Sequence, residues 1–161
     1  ASETTAAASG QIGVVRRDPM AMKPFCGYNF ADYWSHWLSF EKRSDNLPRV
    51  FHVNWFRQDT SGKFLWPGFG ENLRVLRWII DRCENRVDAN ETAVGHLPLA
   101  KDIDTRDLDV SPETMEALLT INTEQWKAEM ESVGEYLRSY GDRLPDELLA
   151  VHADVVRALN E

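Results

Sequence analysis

Four side chains in this sequence have types and spacing suited to holding a flat, hydrogen-bonding ring. Phe56, Phe64 and Phe69 lie around a polar turn, and Asn72 follows three residues after the last of them. Phenyl faces stack on a heterocycle, each stacked base gaining about 1–3 kcal/mol, while an asparagine amide offers the ring edge both a donor and an acceptor. Gly68 and Gly70 flank Phe69 and let the backbone come close to such a ligand. The same residues also suit a plainer arrangement, a small aromatic cluster packed beneath a loop. KFLWPGFGEN (63–72) is unusual in either case, because it sets three large aromatics among proline and glycine, which break regular structure and keep a segment at the surface.

Other chemistry is poorly supplied. SGKF (61–64) has Gly-Lys without a glycine five residues earlier or a hydroxyl after it, and GFGENL lacks the last glycine of a dinucleotide fingerprint. DIDTRDLD (102–109) puts Arg106 where a calcium loop needs an oxygen ligand and lacks that loop's glycine, so it reads as a solvated acidic turn. His36, His52, His96 and His152 have no partner at metal-ligand spacing. Cys26 and Cys83 form neither a CxxC pair nor a Cys/His cluster and read as buried free thiols. No self-contained catalytic signature is present.

Several elements have to hold the aromatics in place. Asn29, with Asp32 three residues on, resembles a capping box ahead of Phe30, Tyr33, Trp34, Trp37 and Leu38, which predicts a helix over about 29–42. RVFHVNWF (49–56) alternates Phe51, Val53 and Trp55 with His52, Asn54 and Phe56, which predicts a half-buried strand, and 64–66 suits a second short one. A helix follows from Glu71 or Asn72, with Leu73, Leu76, Ile80 and Cys83 on one side. GHLPLAKDIDTRDLDV (95–110) reads as a connection. Ser111-Pro112 opens a short helix to about Leu119, and Asn122 with Gln125 opens a longer one that Gly141 stops. Pro145 starts the last helix, with Leu148, Val151, Val155 and Leu159 expected inside, so the end is an αα-hairpin. The fold class expected is mixed α/β, of the α+β kind: a few strands, several helices and that terminal hairpin.

Composition restricts the partners. The 161 residues carry a formal net charge of −8, but residues 1–80 hold ten Lys/Arg against seven Asp/Glu, while 81–161 hold eight against nineteen. A nucleic acid finds no continuous basic face here, whereas the first half can accept one small phosphorylated ligand. That half also holds fourteen of the seventeen aromatics, between Phe25 and Trp78. Apolar runs are too short to span a membrane, and Ala1 to Gly13 lacks the basic start and apolar centre of a signal peptide, so a soluble, cytoplasmic protein is expected. ASETTAAASGQIG, small and without apolar periodicity, is expected to be a flexible loop.

RRDPMAMKPFCGYNFADYWSHWL (16–38), followed by LPRVFHVNWFRQDTSGKFLWPGFGENLRVLRW (47–78), closely resembles the carboxy-terminal part of the GTP-dependent phosphoenolpyruvate carboxykinases. The likeness is dense from Ser2 to about Arg82 and continues as a similar helical pattern. It implies the gluconeogenic conversion of oxaloacetate and GTP to phosphoenolpyruvate, GDP and CO2, with Mn2+ or Mg2+, in a monomeric enzyme. Carried over by motif, it implies that Phe56 (NWFR), Phe64 (GKFLW) and Phe69 (PGFGEN) surround guanine, with Gly70 and Glu71 beside it and Asn72 bonded to its edge. Phe25 (KPFCGYNF) would line the oxaloacetate pocket.

Ser2, Glu3, Thr4, Thr5, Ala6, Ala7, Ala8, Ser9 and Gly10 match the family's Ω-loop lid. A closing lid has a chemical purpose, since water would protonate the enolate formed by decarboxylation. The resemblance divides the chain into a lid segment at 1–13, a guanine-binding α/β part at 14–90, and an acidic helical part of the same nucleotide-binding domain at 91–161. It departs from the family at Leu73, where Ser is common, and at Met20, where Phe is common. The family's phosphate-cradling loop, its lysine, histidine and aspartate metal ligands and its substrate arginines lie upstream of the lid. The resemblance therefore implies no catalytic residue and no metal ligand among these 161, no activity for them alone, and the amino-terminal part of the enzyme as their partner. The alternative is a free-standing nucleotide-binding or protein-interaction module of the same fold.

Overall fold

The computed structural model describes residues 17–161, which fall into two compact units, 17–47 with Lys127–Glu161 and Pro48–Trp126. In the first unit, helix α1 (Phe30–Leu38) begins where the Asn29 side chain accepts a hydrogen bond from the Ala31 amide at 2.9 Å. It tightens into a 3-10 turn at Ser39–Lys42, so the expected helix over 29–42 is present with a narrower last turn. Asp32 takes the Arg143 guanidinium at 2.7 Å. Phe30 and Ala31 are buried, and Trp34 stands edge-on to Tyr136 and Tyr140 at 6.3 and 4.9 Å.

Helix α4 (Thr123–Arg138) opens on the Asn122 side chain, which accepts from the Gln125 amide. Gly141, at φ +61°, supplies the left-handed residue that ends this segment, and α5 (Asp146–Ala158) follows Pro145. The expected buried face of α5 is wrong at one position. Val151 is exposed, and His152 turns inward instead, its Nε2 2.7 Å from the Met130 carbonyl oxygen of α4. Gly134 makes room for it, since a Cβ there would lie 2.9 Å from that nitrogen. A ring that pairs with a carbonyl can occupy an interhelical position where a valine would only fill space.

The second unit is built on Trp66, Trp78, Ile103 and Met115, with Phe51, Trp55, Val75, Ile79, Leu118 and Leu119 packed around them. Helix α2 (Asn72–Cys83) contributes Trp78, Val75 and Ile79 and helix α3 (Pro112–Leu119) Met115, Leu118 and Leu119, loops supplying the rest, and α3 starts as expected where the Ser111 hydroxyl accepts from the Thr114 amide. Arg57 donates to the carbonyls of Leu118 and Thr120 at 3.0 and 3.1 Å, closing the end of α3.

The buried side of α2 carries Val75, Trp78 and Ile79, while Leu73, Leu76, Ile80 and Cys83 are exposed. The helix is apolar on two sides, and the side with the indole buries more surface. The strands lie elsewhere than expected. Residues 51–56 do alternate half-buried and exposed, but no neighbouring segment of the described residues forms a ladder with them and the stretch ends in a turn at Trp55 and Phe56, so it is not a strand. Phe64 makes only an isolated bridge with Gln58. The described strands are β1 (Asn90–Thr92) and β2 (Gly95–Leu97), an antiparallel hairpin in the register Asn90↔Leu97, Glu91↔His96 and Thr92↔Gly95, partly inside the expected connection. Its turn lacks an Asn-Gly or Asp-Gly pair, and Gly95 carries the positive φ of +121° just after it. The described residues are thus mostly helical with one two-strand hairpin, a coarser result than the mixed class expected. None of their helices is long and apolar enough to cross a membrane.

Candidate functional site

The turn that presents Phe64 is set by Asp59. Its Oδ1 accepts from the Ser61 amide and hydroxyl at 2.8 and 2.7 Å and from the Lys63 amide at 3.0 Å, and Gly62 takes φ +84° to complete the reversal. These donors, the Ser61 hydroxyl foremost and then the Lys63 and Ser61 amides, hold the Asp59 carboxyl below its ordinary value of 3.8. The folded-state pKa is depressed, so the turn is fully supported above that ordinary value and loses the support as pH falls through the lower folded value. Amide exchange at Ser61 and Lys63 is expected to accelerate over that acidic window, after correction for intrinsic rates; a ratio that stays flat down to complete acid unfolding would show that the carboxylate does not hold the turn.

Beyond the turn, the rings stand open. Phe56 and Phe64 face each other at 6.0 Å between centroids and 64° between planes, with 70% and 52% of their surface exposed. Phe69 is 91% exposed and enters no ring contact among the described residues. Rings this open are not a cluster packed beneath a loop. Gly68, at φ +124°, turns the chain into the 3-10 segment Phe69–Glu71 and on to Asn72 at the start of α2. Gly70 has open space where a Cβ would be, and the Glu71 carboxylate is taken by Arg74 at 2.6 Å.

Asn72 has a partner that the sequence reading did not anticipate. The indole nitrogen of Trp66 donates to Asn72 Oδ1 at 2.9 Å, and Trp66 is only 7% exposed. The available signal was an aromatic donor six residues before an asparagine across a Pro-Gly bend, too generic to single out alone. The structure therefore pairs Phe56 with Phe64 and Asn72 with Trp66 on one unit.

The remaining expected site residues lie apart from this group. Phe25 ends a 3-10 turn (Lys23–Phe25) of the first unit and is 79% exposed. It follows Met20 and Ala21, which both adopt left-handed φ of +56° and +52°, a conformation that non-glycine residues take at some energetic cost. Both cysteines are free; Cys26 is half-buried, but Cys83 is exposed, contrary to the buried thiol expected, because it lies on the outward side of α2. Asp104 pairs with Arg106 at 2.6 Å on an exposed turn, consistent with a solvated acidic loop. Among the described residues no group of three or more His, Cys, Asp or Glu is placed to hold a metal ion. The lid residues Ser2 to Gly10 lie outside the described residues.

Comparison with known proteins places this geometry in a family. The family model for the phosphoenolpyruvate carboxykinase C-terminal P-loop domain matches residues 1–158. Among curated proteins, the phosphoenolpyruvate carboxykinase [GTP] of Renibacterium salmoninarum is 51% identical over 150 residues, covering 92% of this chain and 25% of that protein. The protein of the same name from Corynebacterium kroppenstedtii is 50% identical over 147 residues, covering 91% and 24%, and that from Chlamydia trachomatis serovar D is 49% identical over 149, covering 92% and 25%. The chain thus spans about a quarter of the length of the curated relatives it matches. On the strength of a match running through both units, the chain belongs to the GTP-dependent phosphoenolpyruvate carboxykinase family, in the region of its C-terminal P-loop domain.

Proposed function

We propose that this chain supplies the guanine pocket and the active-site lid of a GTP-dependent phosphoenolpyruvate carboxykinase. The enzyme converts oxaloacetate and GTP to phosphoenolpyruvate, GDP and CO2, acting as a cytoplasmic monomer in gluconeogenesis. Residues 1–13 are the lid, 14–90 the guanine-binding part and 91–161 an acidic helical part of the same domain. Phe56, Phe64 and Phe69 stack on the base, Gly70 and Glu71 border it, Asn72 bonds to its edge, and Phe25 lines the oxaloacetate pocket. The reaction uses Mn2+ or Mg2+, whose ligands this reading does not place among these 161 residues. Those ligands and the catalytic groups belong to the amino-terminal part of the enzyme, and the 161 residues alone are inactive.

The observation that carries the reading is the openness of the three phenyl rings beside an asparagine whose carbonyl is already held. A core has no use for aromatics at such exposure, whereas a heterocycle restores their burial. The test uses a carboxykinase of full family length that carries this sequence. Phe69→Ala removes one stacking face and is expected to raise the Kd for GDP about five- to a hundredfold. Asn72→Ala is expected to lower the preference for GDP over ADP more than Phe69→Ala does, because a polar contact reads the edge and a phenyl face does not. Calorimetric titrations in which both variants bind GDP like the parent would place the pocket on another loop.

A further inference from the structure

We propose that Trp66 sets the base preference of this pocket by fixing which end of the Asn72 amide faces which atom of the purine. The inference rests on the assignment of Asn72 to the base edge. An asparagine side chain presents a carbonyl oxygen and an NH2 group on nearly identical frames, so a half-turn about its last torsion exchanges donor and acceptor. The consequence for purines is direct. Along the Watson–Crick edge guanine offers an acceptor at O6 and a donor at N1–H, while adenine offers a donor at its 6-amino group and an acceptor at N1. An amide with NH2 over position 6 and oxygen over position 1 fits guanine at both points and adenine at neither. Flipped, it fits adenine. A free Asn72 would serve both bases.

Trp66 removes that freedom. An indole N–H donates and never accepts, so the atom 2.9 Å from Trp66 Nε1 has to be the oxygen of Asn72, as the structure has it. The flipped amide would set NH2 against N–H and leave a buried donor unpaired, which is unfavourable. The indole cannot swing away to accommodate it. Trp66 is 7% exposed, belongs to the core of the second unit and packs on Trp55 at 6.3 Å between ring centroids. The Asn72 oxygen keeps a second lone pair for guanine N1–H, and its NH2 group remains for O6. Trp66 is a positioning residue in this scheme: it touches Asn72 and not the base.

The experiment replaces the indole donor and reads a ratio that loss of stability does not move. In a carboxykinase of full family length carrying this sequence, Trp66→Phe keeps an aromatic ring and removes the N–H. Benzothienylalanine introduced at position 66 by amber suppression keeps the bicyclic shape as well, exchanging NH for sulfur, and guards against a folding defect in the phenylalanine variant. Calorimetric Kd values for GDP and ADP are expected to show the GDP preference reduced about tenfold or more in both variants, on the scale of one lost hydrogen-bond discrimination. Phe69→Ala should weaken both nucleotides alike. If Asn72→Ala abolishes the preference while both Trp66 variants retain it, the positioning role is overturned and the pocket stands. If Asn72→Ala itself leaves the preference intact, the assignment of Asn72 fails, and the role of Trp66 fails with it.

Discussion

Replacing Trp78 with alanine is expected to lower the stability of the second unit by about 3–5 kcal/mol. Trp78 is 4% exposed at the centre of the cluster that also holds Trp66, Ile103 and Met115, and Phe51 meets it edge-on at 6.1 Å. Removing the indole deletes its buried surface and leaves a cavity that surrounding side chains fill only in part. Trp78→Phe should behave differently. The indole nitrogen of Trp78 is buried without a hydrogen-bond partner, so a phenyl ring gives up volume but also relieves an unsatisfied donor. The net loss for phenylalanine is expected to stay below about 1.5 kcal/mol. Urea denaturation of both variants, followed by far-UV circular dichroism, separates the outcomes. A phenylalanine variant as unstable as the alanine one would mean that the orphaned N–H carries no cost.

Gly134→Val is expected to destabilise the first unit by about 1–3 kcal/mol, although the position lies inside a helix where glycine is a poor choice. An added Cβ would come within 2.9 Å of His152 Nε2, 3.0 Å of its Cε1 and 3.1 Å of Arg138 Nη1. Contacts that short force the imidazole off the Met130 carbonyl, to which it is bonded at 2.7 Å. The clash and the lost bond act through one side chain, which suggests a decisive control. In a His152→Ala background, Gly134→Val should cost at least about 1 kcal/mol less, because only the flexible end of Arg138 still stands near the added side chain. Thermal unfolding of the four proteins in that cycle gives the coupling. No coupling between the two positions would show that His152 does not explain the glycine.

Local signals carried the helices of this fold and missed its strands. The caps at Asn29, Ser111 and Asn122 depend on side chains acting within three residues, and all three act as the sequence suggests. Strand formation depends on a partner that sequence alone does not name. At 51–56 the period of two is visible and the alternation of burial is real, yet without a ladder the stretch is no strand. At β1 and β2 the partner exists, but the segments are three residues each and their turn has no diagnostic pair. The buried face of α2 is not legible for a related reason: Leu73, Leu76 and Ile80 form as regular a stripe as Val75, Trp78 and Ile79, and only the position of Met115 and Ile103 chooses between them. At the candidate site the phenylalanines and Asn72 could be picked out by residue type, whereas the Trp66 contact required coordinates, because a bend between Trp66 and Asn72 brings donor and acceptor together.

The alternating stretch at 51–56 has one more consequence. Phe51 and Trp55 pack on the core and Val53 is half-buried, while His52, Asn54 and Phe56 are exposed, so the side chains are committed although the backbone has no ladder. A strand that comes to lie beside it needs no search for alignment. Sliding the stretch by one residue would carry Trp55 into water and the exposed Phe56 into the core. The aromatic order of this segment thus acts as a keyway, admitting a neighbouring strand at one setting only.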